Sequence, residues 1–599
     1  MAEIFGVFRT RGPLPCEALE GFRRLSADFS AAGAGTQGAF AASGVQIGLL
    51  LHHGGDAGSV RRAPDGSALV CAGDPGLPDS PEVLVRTRAA LRAGEAAGLA
   101  GADPPWAACL VDHQRRDLYL VTDAFGLRPL YYARWGDLLV FGTRVAPLLR
   151  AGLGAWEIDR QAVVDFLTFG HVTGDRTFAK EVRLLAPGSI LSFGPGGLEL
   201  RRYAGDLPEE THSKLGLDEL AERMYAELHR SVRSSVAGAS RIAVTLSGGL
   251  DSRALLGFAL DTGAEVRAHT FGVPGALDVE HARRVAKRAR CPHELVEIDH
   301  RFLPGRLDHA VGVTDGMVGA THFHILSLLE RLAGADVVLD GLGGDALTGR
   351  HLGWGMIASR SVERAVGRVF EKRATVFADR AALGRILDPG FLAESVRQPR
   401  GAVSRHFEGL GGRPIWWGCH QFDLRERQRR FVQFGPHLLR PFVKVATPFY
   451  SLGFTDLVRR APVRLLIEQR AYLRMHSLRL GVLAKAPDAA RNLPVAWPQS
   501  LRFAKRVFDV AARRARRFLP VVGSAAGSAT DYPAWFRGPL SDFVDERLLD
   551  GAAALEGVVS RKGVEELLSD HRVRGGDRSE QIGCLLSLAR WMTHVGGRA

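Results

Sequence analysis

Residues 247–252, Ser-Gly-Gly-Leu-Asp-Ser, combine groups that suit a phosphate chain. Two glycines let the backbone approach a ligand and aim several N–H groups one way, at a helix N-terminus that favours anions. Ser247 and Ser252 add hydroxyls, whereas Asp251 would repel a bare phosphate. Its presence predicts that Mg²⁺ accompanies the nucleotide. A second stretch, Asp340 to Arg350 (DGLGGDALTGR), repeats the arrangement: a short apolar run enters a glycine-rich turn that carries Asp340 and Asp345. If both turns face one pocket, Asp251 and Asp345 hold one Mg²⁺ between the phosphates of ATP. Each turn alone would be explained as a glycine-dependent bend with a capping aspartate. The loop lacks the lysine of G-x-x-x-x-G-K-[ST] and does not match G-x-G-x-x-G, which excludes those two phosphate-binding patterns.

The elements that must carry these turns are legible as patterns. Arg241 to Leu246 alternates and is rich in β-branched residues, so it reads as a strand, and Ala254 to Leu260 has the apolar density of a core helix. From about 218 onward strands and helices alternate: RIAVTL, a helix, VRAHTFGV, a helix from 279, HELVEI, a helix from 322, and DVVLDG. That order implies an open α/β sheet, whose ligands gather at the carboxyl ends of the strands. Residues 1 to about 205 instead show short apolar runs broken by turn residues, such as VQIGLLLHH, SALVCAG and DLYLVTD, which predicts a sandwich of antiparallel sheets. GDLPEETHSKLGLDE reads as a linker, the chain after 350 as mainly helical and arginine-rich, and 520–533 as a low-complexity loop.

At 599 residues the chain exceeds one ordinary core, so two or more domains are expected. Hydrophobic content of 46% and charged content of 24% are those of a folded protein in water. Six cysteines without a CxxC pair point to a reducing compartment, and the opening MAEIFGVFRTRG lacks the pattern of a secretory signal. No run approaches the roughly 18 apolar residues of a membrane span, so the expected location is cytoplasmic, with no membrane partner. The +13 charge balance permits anionic partners, among them ATP, an acidic peptide or nucleic acid, without selecting one.

LSGGLDSRALL (246–256) resembles the SGGxDS pyrophosphate loop of ATP-pyrophosphatases, in the form used by the asparagine synthetase superfamily. Four further segments resemble that superfamily in the same order: 123–149, 167–191, DGLGGDALTGR, and VATPFYSLGFTDLVRRAPVRL at 445–465. The resemblance implies a mixed α+β and α/β fold. An Ntn-type antiparallel β-sandwich with helices would occupy 1–205. An ATP-pyrophosphatase (PP-loop) doubly wound α/β domain with a large helical C-terminal part would occupy 218–599. A glutaminase of that family uses an N-terminal cysteine as nucleophile. This chain reads Met1-Ala2-Glu3, Cys16 is internal and expected as a small buried hydrophobe, and LVCAGDPGL stands where the family has its glutamine-gripping segment. The amine is therefore expected from the substrate itself. Superfamily members with this loss include β-lactam synthetases and lasso peptide cyclases, and the chain looks more like a lasso peptide cyclase (macrolactam synthetase).

By that resemblance Ser247, Gly248, Gly249 and Ser252 hold the β,γ-phosphates, Asp251 and Asp345 bind Mg²⁺, and Leu246, Phe271 and Gly341 line the adenosine site beside Asp340. Glu426, in DLRERQRRF, is expected to orient a base or accept the amine proton, and Arg470, in EQRAYLRM, to stabilise an oxyanion. Each has a plain alternative as a solvated helix charge. Leu342 departs from the glutamate or tyrosine found there in the synthetases. The implied partners are a precursor (core) peptide and the leader-binding protein and leader peptidase of one pathway. Three other features read as structural: His322 and His324 without a metal partner, the basic run at 512–518 as a solvated face rather than an RNA contact, and Trp416-Trp417 as core. A small-molecule β-lactam or amide synthetase, an ammonia-dependent synthetase, a nucleic-acid-modifying ATP-pyrophosphatase and a non-catalytic scaffold are the competing readings.

Overall fold

A computed structural model describes residues 2–596 except 31–34, 37–39, 43, 52–57, 79, 97, 205–213, 394–397, 489–492, 496, 498–500 and 502–528. Most of the stretch read as a linker, the basic run at 512–518 and most of 520–533 lie outside the described residues.

Along the strand Ala2–Arg9, Ile4 and Phe8 pack to one side and Phe5 and Val7 to the other, the two-residue alternation of a pleated strand. Both sides are buried, so this strand must lie between two layers. It pairs antiparallel with Val45–Leu51 and Leu138–Gly142 in a first sheet. A second antiparallel sheet runs from Gly197–Arg202 through Ser189–Gly194, Asp117–Thr122, Ala107–Asp112 and Ala68–Ala72 to Gly58–Arg62. Val70, Cys109 and Leu120 of the second sheet meet Ile4 and Phe8 of the first in one core. The outer faces are covered by helices: Leu84 and Leu91 of Pro81–Arg92 on the second sheet, and Leu25 and Phe29 of Cys16–Ser30 on the first. The Phe29 ring stacks on Phe5 at 4.5 Å. The result is the antiparallel sandwich with helices read from the sequence. Cys16 differs from expectation: it is exposed. The buried stripe of its helix runs through Ala18, Gly21, Leu25 and Phe29, at three- and four-residue steps, and position 16 falls on the opposite face.

The second half is built on five parallel strands: β1 (Arg241–Thr245), β2 (Glu265–Gly272), β3 (His293–Glu297), β4 (Val337–Leu339) and β5 (Val445–Ala446). Their order is β3-β2-β1-β4-β5. The chain winds outward from β1 to β3, then returns to place β4 on the other side of β1. A crevice opens where that direction reverses, at the carboxyl ends of β1 and β4. Helix Leu250–Leu260 is buried on nearly every side, whereas Leu277–Ala289 buries only the stripe Val279, Ala282, Val285 and Ala286. The expected helix from 322 is instead two short 3₁₀ turns, Ala320–His322 and His324–Leu328. The crossover helix lies earlier, at Phe302–Thr314. Pro304, Gly305 and Gly312 lower its intrinsic propensity, and burial of Leu303, Leu307, Ala310 and Val311 overrides that.

The two halves share a polar seam. The buried Asp315 carboxylate accepts from the Val145 and Ala146 N–H groups, both at 2.8 Å, and so caps a helix of the first domain from the second. Helix Ser579–Val595 packs Trp591 against Trp156 and Phe178 of the first domain. Among the described residues, no helix is long and apolar enough to cross a membrane.

Candidate active site

The crevice holds a cavity of about 440 Å³. One wall is the turn after β1. There the Ser252 hydroxyl accepts from the Ser247 N–H at 3.2 Å and lies 3.3 Å from the Ser247 hydroxyl, which closes the turn on the helix it starts. Gly248 has φ +70°, and a Cβ on it would sit 2.5 Å from the His281 Cβ and 2.7 Å from the Ala282 nitrogen. Only glycine permits that conformation and that approach to the neighbouring helix. Ser247, Ser252 and Leu246 line the cavity; Gly248 and Gly249 shape the turn behind it.

Arg253 holds this turn from within. It is fully buried, and its guanidinium donates to four carbonyls: Gly248 at 3.0 Å, Leu483 at 3.2 Å, Ala486 at 2.8 Å and Pro487 at 2.6 Å.

The facing wall is the turn after β4. Asp340 accepts from the Leu342 N–H at 2.9 Å and from the Thr245 hydroxyl at 3.2 Å, so it ties the two strand ends together while standing at the cavity edge. Gly343 has φ +85° and lies against the Tyr450 ring. A Cβ on Gly344 would stand 2.2 Å from Asp251 Cγ. The two glycine-rich turns therefore touch, and Asp251 and Asp345 are neighbours where the two walls meet. Burial, then the adjacent Asp345 charge, pushes the Asp251 carboxyl well above its ordinary range, while the buried Tyr472 hydroxyl lies against it. Asp251 Oδ1 is buried with no hydrogen-bond partner among the described residues. Two crowded carboxylates with a bare buried oxygen fit a hard divalent cation. Mg²⁺ is commonly held by one or two carboxylates, with phosphate oxygens and water completing its shell. Among the described residues no cluster of three or more His, Cys, Asp or Glu forms a metal cage, and His322 and His324 take no part in one.

Asp345 is further held by Arg350 at 3.0 Å and by the Gln469 amide at 3.4 Å. Gln469 and its neighbour Glu468 both adopt left-handed backbone, φ +65° and +53°. Such strain costs on the order of 1–3 kcal/mol per residue and clusters at functional sites. Here it turns the Gln469 amide onto Asp345 and onto the Thr348 hydroxyl, 2.8 Å away. Arg470, one residue later, donates to the Arg464 carbonyl at 3.2 Å and stands off the cavity wall, so its expected oxyanion role has no geometric support.

On the side of β2, Phe271 and Leu246 form an apolar flank, with the His324 ring 4.7 Å from Phe271. Burial pushes His324 down to about 4, so it stays neutral. The Thr270 hydroxyl donates to the Leu246 carbonyl at 2.6 Å and lies 2.8 Å from His293 Nε2. Gly341 and Leu342 close the opposite edge.

Glu426 also departs from expectation. It is absent from the cavity wall, and both its oxygens are engaged: Oε1 lies 2.9 Å from His406 Nε2, and Oε2 accepts from the Gly174 N–H of the first domain at 2.8 Å. Burial pushes its carboxyl up, but the His406 contact and the Gly174 N–H outweigh it and hold the group at about 2. A carboxylate held that low is a poor proton acceptor near neutrality. It is a seam residue. Its depressed folded value stabilises the protein fully above the ordinary 4.5, and the contribution fades as pH falls through about 2. The Glu426→Gln protein is expected to be less stable by on the order of 3 kcal/mol at pH 7. In urea melts that gap should narrow steadily below pH 4.5; a gap independent of pH would contradict the assignment.

Residues 223–491 match the family model described as asparagine synthase, and residues 79–204 that of a glutamine amidotransferase domain. "Asparagine synthetase [glutamine-hydrolyzing] 1" of Bacillus subtilis (strain 168) is 28% identical over 174 residues, 28% of this chain and 27% of that protein. "Putative asparagine synthetase [glutamine-hydrolyzing] 2" of Methanocaldococcus jannaschii is 24% identical over 260 residues, 41% of this chain and 49% of that one. "Amidase chyE" of Penicillium rubens is 25% identical over 233 residues, 34% and 32% of the two chains. The chain thus spans about a quarter to a half of the length of these curated relatives.

Proposed function

We propose, for a chain that carries an asparagine synthase domain behind a glutamine amidotransferase-type domain, that it is an ATP-dependent amide ligase of the lasso peptide cyclase kind. The observation that carries the ligase reading is the contact between the two glycine-rich turns, with Asp251 and Asp345 side by side where a triphosphate would lie. An Asp or Glu side-chain carboxylate of a precursor core peptide attacks the α-phosphorus of ATP, the α–β phosphoanhydride breaks, and pyrophosphate leaves. The peptide's N-terminal amine then attacks the acyl carbon, AMP departs, and the amine loses its proton. Mg²⁺ held by Asp251 and Asp345 would neutralise charge on the leaving pyrophosphate. Ser247, Ser252 and the N–H groups of their turn bind its phosphates, and Leu246 and Phe271 cover the nucleoside.

The choice of an internal amine rests on the first domain. Cys71 and Cys109 are buried in its sheets, where burial pushes both thiols up, Cys71 to about 12. Cys16 lies on the exposed face of an outer helix, away from the space between the sheets. None of these thiols is poised as a nucleophile for glutamine, so the substrate brings its own nitrogen. A leader-binding protein and a leader peptidase would deliver that substrate.

Incubation with ATP, Mg²⁺, leader peptidase and precursor is expected to give AMP, pyrophosphate and a peptide lighter by one water, read by mass spectrometry. Release of ADP would end the ligase reading. AMP without a cyclised peptide would end the macrolactam reading and leave a small-molecule amide ligase.

A further inference from the structure

The segment Asp423–Val432 is a π-helix, a rare wide turn that recurs at functional sites. Its residues face two ways. Toward the first domain, Arg429 donates to the carbonyls of Leu185 at 2.5 Å and Gly126 at 3.3 Å, and Arg430 to those of Val172 at 2.9 Å and Arg176 at 2.7 Å. Glu426 accepts from Gly174 on the same side. Gly126 makes room for this contact, since a Cβ there would stand 2.7 Å from Arg429 Nε. Toward the second domain, Arg427, Gln428 and Val432 line the nucleotide cavity.

The cavity-facing pair is incompletely satisfied. Arg427 is half-buried; its guanidinium lies 6.0 Å from the Phe431 ring, and its charge acts on the Asp423 carboxylate, which Arg373 engages directly. Gln428 is 4% exposed, and its Oε1 has no hydrogen-bond partner among the described residues. A half-buried guanidinium beside a phosphate-type loop is complementary to an oxyanion.

We propose that Arg427 binds a phosphate oxygen of the nucleotide's triphosphate, and that the first domain serves as the brace that holds Arg427 in place through Glu426, Arg429 and Arg430. This rests on the ATP-using reading above and gives the first domain a task unrelated to glutamine.

The test measures binding of the non-hydrolysable analogue α,β-methylene-ATP with Mg²⁺, and of adenosine, by calorimetry. Arg427→Ala is expected to weaken the analogue about 30-fold, within the range of a charge-assisted hydrogen bond, and to leave adenosine unchanged. Arg429→Met, which touches only the first domain's carbonyls, should weaken the analogue about 5-fold. Introduced into the Arg427→Ala background it should add nothing, because the brace acts through Arg427. Where Arg429→Met does not fold, Glu426→Gln takes its place in the cycle. Unchanged analogue binding by Arg427→Ala overturns the proposal, as does an Arg429→Met effect that adds in full. Equal loss of adenosine binding would assign Arg427 to the nucleoside and overturn it too. A native protein that binds no analogue at all removes the ATP reading itself, an outcome separate from the other three.

Discussion

The Asp251→Asn protein should fold normally and lose adenylation by about 1,000-fold. Charge stabilisation by a metal is worth several kcal/mol in the transition state, and ~4 kcal/mol corresponds to three decades in rate. An asparagine amide is a much weaker ligand for Mg²⁺ than a carboxylate and carries no charge to offset that of the triphosphate. Stability should move the other way. Burial and Asp345 raise the native carboxyl well above its ordinary range, so the folded protein without metal retains a proton there that the unfolded chain releases. A raised carboxyl makes the protein progressively less stable as pH climbs above about 3.9. Asparagine abolishes that term, so the variant should be the more stable of the two at pH 8, with the difference vanishing in acid. For the same reason metal affinity of the native protein should fall as pH is lowered, since proton and cation compete for one group. Pyrophosphate exchange and urea melts at several pH values read both effects. A variant that keeps native exchange would show that Asp251 does not hold the metal.

Replacement of Arg253 should have the largest effect on the fold. The side chain is fully buried and satisfies four carbonyls, three from the segment 483–487 and one from Gly248. Each such charge-assisted bond contributes about 1.5–3 kcal/mol net, and loss of the donor strands buried acceptors as well. Arg253→Met is therefore expected to cost at least ~4 kcal/mol, a large part of the 5–15 kcal/mol typical of a domain. Arg253→Lys keeps the charge but cannot span four acceptors with a single ammonium, so its urea midpoint should lie between the two. In whatever fraction of either variant folds, the freed Gly248 carbonyl should loosen the phosphate turn and weaken nucleotide binding. A methionine variant with the native midpoint would contradict this account.

The turns and their two aspartates were legible because their chemistry is local: glycines, hydroxyls and an acid at fixed offsets after an apolar strand. The sandwich was legible for a related reason, since strands buried on both faces read as short apolar runs. What the pattern of residues could not convey was orientation across distance. ERQRRF looks like a charged helix surface, yet its residues divide between a seam and a cavity, because a wide helix lies between two domains. Glu426 attracted a catalytic reading from the family resemblance; its partners, His406 and Gly174, lie 20 and 252 residues away. Arg253 gave no signal, because a single arginine in an apolar helix shows nothing of four carbonyls beyond the helix end. Gln469 was passed over in favour of Arg470, and the distinction depends on a pair of left-handed residues that no side-chain pattern reveals. The helix at Phe302–Thr314 was missed because proline and glycine argue against it locally, and only the packed interior reverses that.

The split allegiance of Asp423–Val432 bears on attempts to build hybrids with related chains. A crossover drawn between the end of the sandwich and Leu217, where the next helix begins, would exchange the carbonyls of Gly126, Val172, Arg176 and Leu185 while leaving their two arginines behind. The heritable module is discontinuous: the first domain travels intact only when the ten residues Asp423–Val432 travel with it.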